Sequence, residues 1–121
     1  QIQYVINDAS IRILFVGEQE QYDKARRVQA LCPTLERIII YDQSVIRAEH
    51  DTTSIYFSDL LKMADGYPLQ TELETLWKQA NEEDLANILY TSGTSGDSKG
   101  VMLTYSQFHA AITANDKCVQ V

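Results

Sequence analysis

Two short apolar runs rich in β-formers, residues 11–16 (IRILFV) and residues 38–41 (IIIY), stand on either side of a segment with a different period. Between them Tyr22, Ala25, Val28 and Leu31 recur three apart, the spacing of one helix face. Gly17 ends the first run and Pro33 closes the helical segment. Strand, helix, strand in that order is a βαβ unit. Its crossover is almost always right-handed, so the sheet it belongs to is at least partly parallel. This constraint predicts an α/β fold before anything else is read.

Residues 42–53 lose all periodicity and read as a loop. Phe57, Leu60, Leu61 and Ala64 form a short helical stripe, Gly66 and Pro68 punctuate it, and Leu69, Leu73, Leu76, Trp77 and Ala80 form a longer one. Both stripes are expected to face a core, Trp77 included, because an aromatic on the apolar side of a helix is usually packing. Residues 86–91 and 100–104 read as two further strands. Thr104-Tyr105-Ser106-Gln107 fits the capping box, which starts a helix near Tyr105 with Phe108, Ala111, Ile112, Cys118 and Val119 on its apolar face. At the other end, Ile2, Val5 and Ile6 show a helical spacing entered in mid-course, and the chain does not open with Met; both suggest an excised piece. The expectation is a single α/β segment over residues 1–121, with a partly parallel sheet, flanking helices and a phosphate-loop hairpin.

Charge narrows the partners. The net charge of −7 and the scattering of the 10 Lys and Arg residues argue against a nucleic-acid surface, which needs clustered basic residues. Ten of the acids fall in residues 42–84 against three bases, read as a solvated face. Cys32 and Cys118 form no CxxC pair and have no histidine at ligand spacing, so zinc and thioredoxin-type chemistry are unsupported and a reduced, cytoplasmic protein is expected. No stretch approaches the roughly 20 apolar residues of a membrane span. His50 and His109 have no Ser, Cys or Asp partner at an interpretable spacing and read as surface or packing residues.

The segment between the last two strands carries the chemistry. In residues 91–98 (TSGTSGDS), seven of eight residues are Ser, Thr or Gly, and Lys99-Gly100 follows. Gly93 and Gly96 allow positive φ, so consecutive N–H groups can turn toward one point; Thr91, Ser92, Thr94 and Ser95 add hydroxyls; Lys99 adds a mobile positive charge. Such a nest suits phosphate oxygens, whereas Ser, Thr and Gly alone would also suit a plain turn. The Walker pattern of Gly, four residues, Gly-Lys-Ser/Thr and a helix is not matched, because the gap from Gly93 ends at Ser98 and an apolar VML run follows Gly100.

Tyr90 through Val101 (YTSGTSGDSKGV) resembles the phosphate-binding signature of the adenylate-forming superfamily, which includes acyl-CoA synthetases, peptide-synthetase adenylation domains and luciferases. The pattern is matched at every position but one, where Ser98 replaces the usual proline. Residues 4–42 are similar to the equivalent segment of long-chain fatty acyl-CoA synthetases, and the likeness is weakest over residues 42–80. The resemblance implies a ligase that joins a fatty acid to CoA with ATP, through an acyl-adenylate and release of pyrophosphate. By position it implies that Ser92, Gly93, Thr94, Ser95, Gly96 and Gly100 contact phosphate, that Thr91 helps hold Mg²⁺, and that Lys99 is the catalytic cation that neutralises the departing pyrophosphate. Tyr105 and Gln107 stand where the family often has histidine and asparagine; for Gln107 the capping role is expected instead. Ser98 in place of proline frees one backbone dihedral, which predicts a looser empty loop.

The same resemblance implies an adenine pocket, an acyl pocket, a second Mg²⁺ ligand and a C-terminal domain, none of which has room here, so the piece alone is expected to be inactive. Peripheral membrane contact of the parent, the acyl chain length and the oligomeric state stay open. Two rival readings use the same residues. A non-catalytic phosphate- or nucleotide-sensing module would keep the loop without the chemistry. A receiver-type phosphoacceptor domain would share the length and acidity, but Glu18 stands alone after the first strand and Asp42 follows the second.

Overall fold

The computed structural model describes residues 1–66, 69–92 and 98–119, the last four of these as backbone only. Two compact units divide the chain, residues 1–67 and 68–121. No helix among the described residues is long and apolar enough to cross a membrane.

The first unit runs α1 (Ile2–Asp8), β1 (Ile13–Val16), α2 (Gln19–Gln29), β2 (Arg37–Ile40), β3 (Ser54–Tyr56) and α3 (Phe57–Ala64). Its three strands are parallel in the order β1-β2-β3, with Phe15 opposite Ile39 and Ile39 opposite Ile55. The predicted βαβ unit is β1–α2–β2. Strand β3 has no counterpart in the sequence reading: three residues are too few for periodicity to show, and they follow directly on the polar stretch 42–53.

Alternation along the strands sorts their side chains. Val16, Ile38 and Ile40 are buried on one face, packed with Ile6 of α1 and Tyr22 and Ala25 of α2. Each fully buried aliphatic side chain there contributes about 1.5–3 kcal/mol. On the opposite face the rings of Phe15 and Tyr41 stack at 5.6 Å between centroids, and Phe57 of α3 lies against Tyr41 at 4.9 Å.

The irregular stretch 42–53 is held by a buried carboxylate. Asp51 Oδ2 accepts a hydrogen bond from Tyr22 Oη at 2.7 Å, and Oδ1 accepts from the Thr53 amide and hydroxyl, both at 2.9 Å, and from the Ser54 amide at 3.1 Å. Arg26 Nε stands 3.6 Å from Oδ2, and Tyr22 Oη in turn accepts from the Ala48 amide at 2.8 Å. Burial by itself would raise the Asp51 carboxyl; the donors from Ser54, Tyr22 and Thr53 outweigh it and hold the group well below the usual carboxylate range. Burial and the Asp51 carboxylate together push the Tyr22 phenol up. Asp51 thus corrects the reading of residues 42–84 as a solvated face, which holds for its neighbours Asp42 and Glu49 but not for this residue.

The second unit contains α4 (Gln70–Gln79), β4 (Leu85–Thr91), β5 (Lys99–Thr104) and α5 (Tyr105–Val119), with β4 and β5 paired antiparallel. Helix α4 forms where its stripe predicted it, but every residue of it is exposed and Trp77 is 73% accessible, so the expected core role is corrected. A helical stripe states which side would bury, not that a partner lies within the same unit.

The start of α5 is the capping box read from the sequence. The Gln107 amide donates to Thr104 Oγ1 at 3.4 Å, and the Thr104 amide donates to Gln107 Oε1 at 3.0 Å. The amides of Tyr105 and Ser106 are satisfied by the carbonyls of Asp84 and Glu82, which ties the helix to the turn that opens β4. Replacing Gln107 by alanine removes one reciprocal bond and is expected to lower stability by about 0.5–1 kcal/mol, read as a lower urea midpoint with unchanged slope.

Candidate phosphate-binding site

The antiparallel ladder brings the two ends of the Ser/Thr/Gly segment side by side. Leu89 pairs with Val101, Tyr90 with Gly100, and Thr91 with Lys99 as the last rung. Directly opposed residues project from the same face of a ladder with Cβ atoms about 5 Å apart. The Thr91 hydroxyl and the Lys99 ammonium therefore leave the hairpin together, and Thr91, Ser92 and Lys99 are all exposed. Gly93, Thr94, Ser95 and Gly96, the other residues expected to contact phosphate, lie outside the described residues, as does the looseness expected of the loop. Ser98, which takes the place of the family's proline, is buried at 8% accessibility.

Gly100 has a steric reason. A Cβ built there would lie 3.0 Å from Ile88 Cγ2 and 3.1 Å from Tyr90 Cζ, so the tyrosine ring occupies the space above its cross-strand partner. This close approach is made by Tyr90, and it fixes the ladder two residues from the loop. A valine at Gly100 is expected to cost about 1–3 kcal/mol of stability, because the ring and Ile88 must both move; thermal unfolding measures it.

Chemically, this end of the hairpin offers a hydroxyl and an ammonium on one face, with backbone leading into and out of a glycine-rich segment. That set suits a polyphosphate: the ammonium is a point charge for a phosphate oxygen, and Thr91 supplies a hard oxygen of the kind Mg²⁺ accepts alongside phosphate and water. Among the described residues no group of three His, Cys, Asp or Glu stands close enough to hold a metal by itself. Any Mg²⁺ here would be held through Thr91 and the phosphates. His50 and His109 are exposed.

A family model for the AMP-binding enzymes matches residues 1–120. The chain belongs to the AMP-binding enzyme family. The match spans both units and includes residues 42–80, where the family signature is least visible by eye. It removes the receiver-domain reading. Among curated relatives, a protein named long-chain-fatty-acid–CoA ligase ACSBG2 from Rattus norvegicus is 31% identical over 105 residues, 85% of this chain and 15% of the relative. Fatty acyl-CoA synthetase A from Dictyostelium discoideum is 32% identical over 111 residues, 87% of this chain and 15% of the relative. A Xenopus laevis ACSBG2 aligns with 98% of the chain at 26% identity. The chain spans about 15% of the length of these relatives.

The sequence reading missed the Asp51 centre. The Asp-x-Thr-Ser spelling at residues 51–54 is a signal for a side chain capping its own following amides, but nothing local says that Tyr22 and Arg26 will close over it.

Proposed function

We propose that the parent protein is an ATP-dependent, AMP-forming ligase that converts a long-chain fatty acid to its CoA thioester, with the β4–β5 hairpin as its triphosphate grip. The pairing of Thr91 with Lys99 at the mouth of the YTSGTSGDSKG segment carries this reading. The family match and the names of the relatives support the acid and the thiol.

In this account the amides and hydroxyls of Ser92, Gly93, Thr94, Ser95 and Gly96 orient the β- and γ-phosphates so that the α-phosphorus faces the carboxylate. The carboxylate oxygen bonds to that phosphorus as the bond to the bridging oxygen breaks, and pyrophosphate leaves with the electron pair. Lys99 donates to the oxygens on which that charge collects, and preorganised donors do so without reorganising at the moment of reaction. Mg²⁺ bound at Thr91 and the phosphates would add neutralising charge. CoA thiolate then attacks the acyl carbon and AMP departs. The 121-residue piece holds only the phosphate grip and is inactive alone.

Fatty-acid-dependent exchange of pyrophosphate into ATP by the full-length protein tests the reading. Exchange with palmitate and its absence with the 121-residue piece are expected. A full-length protein that binds ATP but supports no exchange with any carboxylic acid would leave the sensing module instead.

A further inference from the structure

Register decides whether Thr91 and Lys99 meet. Ile88 lies opposite Met102, Tyr90 opposite Gly100 and Thr91 opposite Lys99. Because side chains alternate between faces, Ile88, Tyr90 and Met102 project on one face and Leu89, Thr91, Lys99 and Val101 on the other. A slip of one residue would set Tyr90 opposite Val101 or Lys99 and part Thr91 from Lys99.

Burial pins a register where one face lies in a core. In this hairpin Leu89, Val101 and Met102 are 49%, 46% and 69% accessible, so burial within the unit contributes little. Shape contributes more at the loop end. The half-buried Tyr90 ring lies across Gly100, where a Cβ would stand 3.1 Å from its Cζ and 3.3 Å from its Cε1. Gly100 is the only glycine in either strand, and each slipped register would put a valine or lysine side chain beneath the ring instead. A ring over a cross-strand glycine also covers backbone that the glycine leaves open, which strengthens a pair that is otherwise weak.

We infer that Tyr90 is a positioning residue of the ligase, which acts through Lys99 by holding the last rung of the ladder in register. Its side chain projects from the face opposite to Thr91 and Lys99, so its effect is on their placement. This role rests on the ligase reading and on the part given there to Lys99. The test compares Tyr90→Ala, Tyr90→Leu and Tyr90→Phe in the full-length protein, each with and without Lys99→Ala, by palmitate-dependent pyrophosphate exchange at saturating ATP. Tyr90→Ala and Tyr90→Leu are each expected to lower exchange by about 10–10²-fold, the effect of misplacing a reacting group by about 1 Å. Tyr90→Phe keeps the ring and should keep nearly all of the exchange. In the Lys99→Ala background, Tyr90→Ala and Tyr90→Leu should cost about threefold or less, because the group they misplace is already gone. Losses that multiply in full with that of Lys99→Ala would overturn the inference, since general destabilisation acts independently of the lysine. So would a loss in Tyr90→Phe as large as in Tyr90→Ala, which would assign the effect to the hydroxyl. Failure of both the alanine and the leucine variants to fold would make Tyr90 a core residue and overturn it too. Exchange by the unaltered protein reports on the ligase reading separately, because a sound ligase can still show independent losses at Tyr90 and Lys99.

Discussion

Replacement of Lys99 by alanine in the full-length protein is expected to lower fatty-acid-dependent ATP–pyrophosphate exchange by about 10²–10³-fold, the usual loss when one preorganised donor to a developing negative charge is removed. Lys99 is exposed at the first position of β5, and its structural contribution is one rung of the ladder made by backbone atoms. The fold should therefore tolerate the change, with the urea midpoint unchanged. The loss should fall mainly in the rate at saturating ATP, since the charge that Lys99 meets grows as pyrophosphate departs. Combining Lys99→Ala with Ser95→Ala should cost less than the sum of the two, because both act on the same phosphates. Unchanged exchange in the double variant would show that neither residue has its assigned role.

Asp51→Ala is expected to be the most damaging single change to the first unit, at about 3 kcal/mol or more. It strips the acceptor from Tyr22, from Thr53 and from the Ser54 amide, and leaves the Arg26 guanidinium without its anion. The pH dependence follows in sign. The folded carboxyl lies below its unfolded value of about 3.9, so its stabilisation is fully present above that value and is lost as pH falls from there toward the folded value. Urea unfolding from pH 6 to pH 3 should show an acid loss that Asp51→Asn flattens. Glu20, Glu36 and Asp42 are also held below their usual range, through Lys24, Arg12 and Ser44 respectively, but all three are on the surface, where such pairs count for little. If the asparagine variant keeps the full acid dependence, Asp51 is not its source.

Much of the architecture was legible because its signals are local. IRILFV and IIIY each announce a strand by composition, although only Val16 of β1 is buried; the three-residue spacing of Tyr22, Ala25 and Val28 announces α2, and Thr104 with Gln107 spells out a cap that forms as written. What stayed hidden depends on residues far apart in the chain. Tyr22 counts as an apolar stripe position, yet its hydroxyl reaches 29 residues on to Asp51. Trp77 has the pattern of a core residue and is exposed, because a stripe carries no information about where its partner is. At the candidate site, the strands on either side of the loop were readable, whereas the Tyr90 ring over Gly100 and the facing of Thr91 and Lys99 needed the register of the ladder.

The account stands on the segment between Thr91 and Lys99 closing around the phosphates of a nucleotide. Amide hydrogen exchange of the full-length protein, with and without MgATP, tests this most directly at residues 92–98. Slowed exchange in that segment with MgATP and with magnesium pyrophosphate, but not with adenosine, is the result expected. Exchange there that is the same with and without MgATP, while other parts of the protein respond, would contradict it.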